Sequence, residues 1–530
     1  MFCWQCEWTK NNTGCLNYGS CGKSPEVAAL NDLLLLETKR LGQAAYEARS
    51  LTSLTDPPRL AADRFWLKSL YATLSNVNFD PQSLAQLIDE AINLRAELSG
   101  EAPLHLSLED KIALGAQNPI NDLESPQILS LRETTLYGLK GLAAYAYHAG
   151  KLGREDEDIF ALGEKVLALS LDQSLSANDW LNLALEVGRL NLRAMELLDL
   201  GHNDLYGTPS PTLVPLGSKK GPAILVSGHD LHDLAQLIED AKRQGVLVYT
   251  HGETLPAHGY PALRTGLAGH FGTAWQNQTQ ELAHFPGPII FTSNCLQKPS
   301  PSYQERVFVI NPVGWPGARE IKEINGRWDF GPALAEALAI GGFAKDKELG
   351  YFSVGWGWRS VLGAADKIKE LVLKGRIRRF LLVGGCDGLG AGRSYYRELV
   401  TQAPKDTIIL TLGCGKFRFN DLDLGEIEGI PRLLDLGQCQ DAFSAIKIAS
   451  ALSEVFQTPI NDLPLSLILS WHEQKACAIL LSLLYLGLKN IRLGPKPPAF
   501  IHPDIFKVLA EGYNLQLTTT AEADLQAIFG

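Results

Sequence analysis

LLVGGCDG at residues 381–388 opens a series of similar segments, followed by TLGCGK (411–416), LGQCQD (436–441) and SWHEQK (470–475). In each segment an apolar run is followed by a residue that can bind a metal, namely Cys386, Cys414, Cys439 and Glu473. The runs at 380–383, 407–412, 433–436 and 465–469 have the length and composition of buried strands, and helical patterns follow the last two. The alternation predicts a parallel α/β sheet.

The carboxyl ends of parallel strands line one crevice, so side chains that follow different strands can converge there. Three thiols and a carboxylate in one crevice are typical of a metal site. The alternative is that three cysteines act as small buried apolar residues and the glutamate merely begins a helix, because free cysteine is often buried. These residues alone leave both interpretations open.

The length and composition exclude several classes of protein. A chain of 530 residues is too long for one core and predicts about three or four domains. A net charge of −11 and the lack of a basic run argue against nucleic-acid binding. The start MFCWQCEWTK has no signal-peptide pattern, and the longest apolar run, 476–488, is too short to span a membrane. We therefore expect a cytoplasmic protein whose nine cysteines are not a disulfide framework.

The N-terminal segment carries the strongest local motif, C-x2-C-x8-C-x5-C, formed by Cys3, Cys6, Cys15 and Cys21. Four thiols in a loop rich in Asn, Gly and Thr can surround a tetrahedral thiolate centre. Zinc and an iron–sulfur cluster both fit this ligand type. Four structural thiols in a flexible terminus are disfavoured, because exposed free thiols are reactive.

Three domains are predicted. Residues 1–217 have helical periodicity and predict an N-terminal all-α helix-bundle domain, ending in a Pro-, Gly- and Ser-rich segment. Residues 218–342 and 343–530 predict two α/β Rossmann-like domains with mainly parallel sheets. In the first of these, the strands are followed by His229, Glu253 and Cys295.

The histidines are harder to interpret. His229, His232, His251 and His258 all fall near the predicted crevice, and the residues alone do not separate them. In the helical domain, His148 and His202 have no companions in sequence, and we interpret them as surface or capping histidines.

Taken in order, the four-cysteine motif, SGHDL, THGE, TSNC, VGGCDG, TLGCGK, LGQC and W-EQKA resemble the hybrid-cluster protein family, also called the prismane or hydroxylamine reductase family. The resemblance covers essentially the whole chain. It implies one α-helical and two Rossmann-like α/β domains, in agreement with the boundaries above. It also implies two iron–sulfur centres.

The resemblance implies a ligand set for each centre. The shorter spacing of Cys3, Cys6, Cys15 and Cys21 resembles the family variant that holds a [4Fe-4S] cluster. A hybrid [4Fe-2O-2S] cluster falls on His229, Glu253, Cys295, Cys386, Cys414, Cys439 and Glu473. The family's persulfide falls on Cys386, and a family lysine near the cluster falls on Lys475.

The implied activity is reduction of hydroxylamine to ammonia and water, with a small redox protein as electron donor. Catalytic roles fall on Cys386, on Glu253 or Glu473 as a carboxylate that leaves iron, and on Lys475 as a source of charge or protons. For Lys475 a structural salt bridge is an equal alternative. Other implied functions are reduction of nitric oxide, S-nitrosylation of proteins and non-catalytic redox sensing. A nickel–iron carbon monoxide dehydrogenase is a related architecture that these motifs favour less.

Overall fold

The computed structural model describes residues 1–50, 56–117, 125–387, 389–390 and 393–530. Its first part is helical, as predicted. Several helices begin as their sequences indicate: Ser24, Ser125 and Ser176 each accept a backbone N–H of the first turn, and proline follows two of them. The helices are α1 (Pro25–Ala48), α2 (Pro57–Ala72), α3 (Pro81–Ser99), α4 (Leu108–Ala116), α5 (Pro126–Lys151), α6 (Glu157–Leu169) and α7 (Ala177–Tyr206).

The first sheet has eight strands in the order β10-β1-β4-β3-β2-β5-β6-β7. Its neighbours are parallel except for β1 and β10. The sheet strands are β1 (Thr212–Ser218), β2 (Ala223–Ser227), β3 (Leu247–His251), β4 (Leu267–His270), β5 (Ile289–Phe291), β6 (Val307–Val309), β7 (Arg319–Glu320) and β10 (Lys347–Val354). A hairpin of β8 (Glu323–Ile324) and β9 (Arg327–Trp328) and the helices α8 (Leu231–Gln244), α9 (Pro261–Arg264), α10 (Gln278–Glu281) and α11 (Gly331–Ile340) complete this region.

The edge of this sheet differs from the sequence expectation. Strand β1 lies within the segment interpreted as a boundary, and β10 lies beyond residue 342, yet the two pair along their length from Thr212–Val354 to Ser218–Lys347. Residues 347–354 therefore close the sheet of the middle region rather than beginning the last one. The domain boundaries themselves stay predictions.

The second sheet has six parallel strands in the order β15-β12-β11-β16-β17-β18, as the opening segments predict. The strands are β11 (Arg379–Gly385), β12 (Thr407–Thr411), β15 (Leu433–Asp435), β16 (Leu465–Ser470), β17 (Ile491–Gly494) and β18 (Gln516–Leu517), with a β13 (Glu426–Ile427) and β14 (Ile430–Pro431) hairpin. Its helices are α12 (Trp358–Leu362), α13 (Ala365–Leu373), α14 (Tyr395–Gln402), α15 (Ala442–Phe456), α16 (Gln474–Tyr485), α17 (Pro503–Tyr513) and α18 (Ala521–Phe529).

Helix α16 joins the helical part to the second sheet, because α5 and α7 both pack against it. The contact with α5 is close: a Cβ on Gly141 would lie 2.5 Å from the carbonyl oxygen of Gln474. A Cβ on Gly188 of α7 would lie 2.3 Å from the carbonyl oxygen of Leu481. Only glycine permits this approach, which fixes the start of α16 and hence Glu473. No helix within the described ranges is both long and apolar enough to cross a membrane.

Candidate metal centre

All seven side chains predicted for the hybrid site line one cavity of about 80 Å³. Three of them, His229, Glu253 and Cys295, follow strands of the first sheet, and the other four follow strands of the second. The site therefore lies where the carboxyl ends of the two sheets face each other. The structure brings the predicted residues together; their assignment as ligands stays a prediction.

His229 has its ring oriented by the backbone. Its Nδ1 lies 3.0 Å from the carbonyl oxygen of Asn294 and 2.9 Å from Ser293 Oγ. A carbonyl only accepts, so Nδ1 carries the proton and Nε2 offers a lone pair towards Glu253 and Lys475. Burial, reinforced by Lys475, lowers the pKa of His229 well below its usual range. The imidazole is thus neutral and suited to bind a metal through Nε2.

Glu253 is buried with one oxygen satisfied. Its Oε2 accepts the backbone N–H of Cys439 at 2.9 Å, whereas Oε1 has no hydrogen-bond partner among the described residues. Burial raises the pKa of this carboxyl, and Lys416 and Lys475 oppose the rise. Ligand atoms of His229, Glu253 and Cys439 lie within 4.8 Å of one another. An unsatisfied buried oxygen beside two further donors is what a cation site requires.

The four cysteines of the site are electrostatically unfavourable as thiolates without a cation. Burial raises the pKa of Cys439 to about 11 and that of Cys295 further, and the neighbouring acidic groups add to the effect. The pKa values of Cys386 and Cys414 are also raised well above the usual range, mainly by burial. Thiolates therefore form here together with metal binding, which releases their protons.

Glu473 precedes α16, and its Oε2 accepts the backbone N–H of Lys475 at 2.9 Å as an N-cap. The Lys475 ammonium donates to Asn294 Oδ1 at 3.0 Å and lies 3.8 Å from Glu473 Oε1. Burial lowers the pKa of Lys475, but Cys439 and Glu473 raise it above its ordinary value. Lys475 is therefore a buried cation on the wall of the cavity.

The N-terminal cysteines form a compact loop of their own. Cys3 and Cys15 exchange two backbone hydrogen bonds, at 3.1 and 2.8 Å. Burial raises the pKa of Cys6, and the nearby thiols of Cys21, Cys3 and Cys15 raise it further. The pKa of Cys15 is lowered, because hydrogen bonds from Ser20 and the Lys10 backbone outweigh the effect of burial. The four thiols of the motif therefore lie close enough together for their charges to interact.

Sequence reasoning missed a buried ion pair that supports the site. Lys416 Nζ donates to both carboxylate oxygens of Asp435, at 2.7 and 2.9 Å, and to the Gly437 carbonyl at 2.7 Å. The pair links the loop of Cys414 to that of Cys439, and both side chains are at most 2% exposed. Charged residues at the ends of two neighbouring strands were the available signal.

The other histidines of the first sheet occupy a separate place. His258 Nε2 and His270 Nδ1 each lie 2.9 Å from Thr250 Oγ1, and His251 Nδ1 lies 2.9 Å from Ser227 Oγ. None of these three lines the cavity of the site. His232 is only partly buried and bonds Gln236.

The interpretation of His148 and His202 was wrong. Both are buried and face a small polar space next to His229 and Asp230. The same space is lined by Leu231 and His232 from the start of α8, and this proximity of α5, α7 and the start of α8 is not visible in the local sequence. Burial lowers the pKa of His148 to about 4 and that of His202 to about 3.

Comparison with known proteins gives a family and a fold. Residues 1–526 match the model of the Prismane/CO dehydrogenase family. A protein of Thermodesulfovibrio yellowstonii named hydroxylamine reductase is 49% identical, with both chains covered completely, and one of Methanocella arvoryzae with the same name is 48% identical over the same share. Carbon monoxide dehydrogenase IV of Carboxydothermus hydrogenoformans shares the fold, with a TM-score of 0.55 at 16% identity over 97% of this chain and 89% of that one. This chain therefore belongs to the Prismane/CO dehydrogenase family.

Proposed function

We propose that this protein is an iron–sulfur oxidoreductase that reduces hydroxylamine to ammonia and water. The observation that carries the proposal is the convergence of four thiols, two carboxylates and one imidazole around a single cavity. The full-length similarity to two proteins named hydroxylamine reductase supports the same substrate. Reduction of one hydroxylamine takes two electrons and two protons.

The donor set fits a centre that is part sulfide and part oxygen. Thiolates favour iron–sulfide bonding, whereas carboxylate and imidazole suit harder iron. His229, Glu253, Cys295, Cys386, Cys414, Cys439 and Glu473 would hold the hybrid [4Fe-2O-2S] cluster, with Cys386 as a persulfide. Cys3, Cys6, Cys15 and Cys21 would hold the [4Fe-4S] cluster. When bound, these centres would supply electrons to the N–O bond. A small redox protein would then replace the electrons.

The chain's own residues bind and orient the substrate. Lys475 keeps its proton and can donate a hydrogen bond to the substrate oxygen as negative charge develops there. Glu253 Oε2 accepts the Cys439 N–H, whereas Oε1 has no hydrogen-bond partner among the described residues. Oε1 can therefore bind or release another group while Oε2 stays in place. The 3.8 Å contact between Lys475 and Glu473 also supports the structural alternative for this lysine.

A second candidate, reduction of nitric oxide, is favoured by the walls of the cavity. Apart from the site residues, the cavity is lined mainly by aliphatic side chains of β11, β12, β16, α15 and α16. An apolar diatomic gas enters such a space at little cost, whereas hydroxylamine must give up its hydrogen bonds with water. S-nitrosylation of protein thiols and a purely redox-sensing role remain alternatives at the same centre.

Anaerobically purified protein tests these proposals. We expect iron and sulfide in the proportions of the two clusters, paramagnetic resonance signals of both, and turnover of hydroxylamine with a reduced one-electron donor. Side-by-side assays with nitric oxide rank the two substrates. Intact clusters with negligible turnover of either substrate would point to the sensing role, and stoichiometric nickel would contradict the hybrid centre.

A further inference from the structure

The N-terminal cysteine loop is attached directly to the segment that carries Glu473. The backbone N–H of Glu7, next to Cys6, donates to the carbonyl oxygen of His472 at 2.8 Å. The Gln474 side chain donates to the backbone oxygen of Gln5 at 3.0 Å and to its Oε1 at 2.9 Å. Gln5 and Glu7, the residues on either side of Cys6, thus contact Gln474 and His472, the residues on either side of Glu473.

The Gln5 side chain continues this contact to a thiol. Its Nε2 lies 3.5 Å from Cys3 Sγ, and its Oε1 accepts from Lys140 Nζ at 3.3 Å. Lys140 is buried, so its charge acts through little solvent. A donor and a cation beside a cluster thiolate favour the reduced cluster, because reduction adds negative charge.

Gln474 is itself held in one orientation. Its Oε1 accepts the Ser75 backbone N–H at 3.1 Å, and its Nε2 lies 3.2 Å from Ser75 Oγ. The Nε2 group therefore faces Gln5 as well as Ser75. Glu7 is fixed as well, because its carboxylate lies 2.7 Å from Arg393 and 3.7 Å from Lys496. The contact between the two segments is therefore held by hydrogen bonds and ion pairs on both sides and is at least partly buried.

We propose that the Glu7–His472 and Gln5–Gln474 hydrogen bonds form the electron route from the N-terminal cluster to the hybrid site, and that Gln5 raises the potential of the N-terminal cluster. The inference rests on the two clusters of the proposed function. Electron tunnelling decays less steeply through covalent and hydrogen bonds than across a gap. From Cys6 to Glu473 the path crosses one hydrogen bond, between Glu7 and His472.

In each transfer the reduced N-terminal cluster loses one electron and the hybrid centre gains one. An external one-electron donor then reduces the N-terminal cluster again. Two such transfers serve one hydroxylamine. Gln5 and Gln474 are positioning residues in this step, since they act through the path and the potential and do not touch the substrate.

The test uses full-length, cluster-loaded protein without substrate. A photoexcited deazaflavin reduces the N-terminal cluster, and freeze-quenched paramagnetic resonance follows the electron to the oxidised hybrid centre. We expect Glu7→Pro combined with Gln474→Leu, which removes both the backbone N–H donated to His472 and the side-chain amide donated to Gln5, to slow this transfer at least tenfold with unchanged iron content. We expect Gln5→Glu, which replaces the amide donor by a carboxylate, to lower the midpoint potential of the N-terminal cluster.

Asn191→Leu is the matched control. Asn191 of α7 is a buried amide that donates to Ser482 on α16, the helix that also carries Gln474, away from the cysteine loop. This variant should leave both rate and potential unchanged. The inference is overturned if the variant with Glu7→Pro and Gln474→Leu transfers electrons at the wild-type rate, or if Gln5→Glu leaves the potential unchanged. Because hydroxylamine is absent, a failure of the proposed substrate shows only in the separate turnover assay.

Discussion

Lys475 Nζ lies 3.1 Å from His229 Nε2, the nitrogen whose lone pair faces the candidate centre. A ring nitrogen that binds iron can no longer accept from the lysine. The ammonium then retains Asn294 Oδ1 and the carboxylate of Glu473 on the cavity wall. The Lys475 ammonium, which lies next to this predicted metal ligand, is therefore available as a positive charge for the substrate.

Lys475→Met separates the catalytic from the structural role of this lysine. If the ammonium stabilises charge on the substrate oxygen, kcat/KM for hydroxylamine falls roughly 100-fold while iron content is unchanged. Lys475→Arg keeps the charge and serves as the control, with a smaller loss. Loss of iron from Lys475→Met, with normal turnover per loaded centre, would assign the lysine a structural role.

Glu253→Gln tests whether this carboxylate opens a position on iron. The amide keeps the size of the side chain but binds iron weakly and is not ionised. We expect the resonance spectrum of the hybrid centre to change and hydroxylamine turnover to fall at least tenfold. An unchanged iron content, spectrum and turnover would remove the opening role.

Lys416→Met leaves Asp435 as an unpaired buried carboxylate between the loops of Cys414 and Cys439. Such a loss costs about 3–5 kcal/mol of folding free energy. We expect a lower denaturation midpoint and incomplete loading of the hybrid centre, measured by iron analysis. Lys416→Met combined with Asp435→Leu removes both charges and should recover part of the stability. If the double variant is no more stable than the single one, the charge imbalance is not the cause.

The site could be predicted because each candidate ligand follows a strand, and parallel strands deliver such residues to one edge. For Cys386, Cys414 and Cys439 the local pattern was sufficient to place the side chain at that edge, whereas their role as ligands stays a prediction. Residue types alone did not separate His229 from His251 and His258. The resemblance chose His229, and the geometry is consistent with that prediction: Nδ1 is held by the Asn294 carbonyl, and His229 lines the cavity.

Other features depend on contacts between distant segments, which local periodicity does not encode. β10 returns to pair with β1 more than 100 residues earlier. Lys416 finds Asp435 only when two neighbouring strands align. His202 looks like an ordinary helix residue until α7 packs against the middle region. Pairings of this kind come from tertiary structure, so the sequence pattern left them undetermined.

Ala449→Phe tests the apolar cavity as the entry space for nitric oxide. Ala449 lies on α15, is buried and lines the cavity, so a phenyl ring would fill part of about 80 Å³. We expect nitric oxide consumption to fall several-fold more than hydroxylamine turnover. Ala184→Phe is the control, because Ala184 lines only the neighbouring cavity of about 230 Å³. Equal losses for both substrates would show that the space does not discriminate between them.

His202 should make stability depend on pH. Burial lowers its pKa to about 3, whereas in the unfolded chain it titrates near 6.5. Between pH 7 and pH 5 the unfolded state takes up a proton that the folded state does not, so the folded state loses about 2 kcal/mol from this group. His202→Phe, which keeps an aromatic ring against Tyr206 and Tyr260, should lose less stability over this interval.

Anaerobic urea denaturation of the loaded protein at pH 7 and pH 5 measures this difference. The exposed His105 gives the control variant His105→Gln, which should follow the wild type at both pH values. His148 and His258 are also buried with lowered pKa values, so His202→Phe reduces the pH dependence without abolishing it. If His202→Phe loses as much stability as the wild type between pH 7 and pH 5, His202 does not remain neutral in the folded protein.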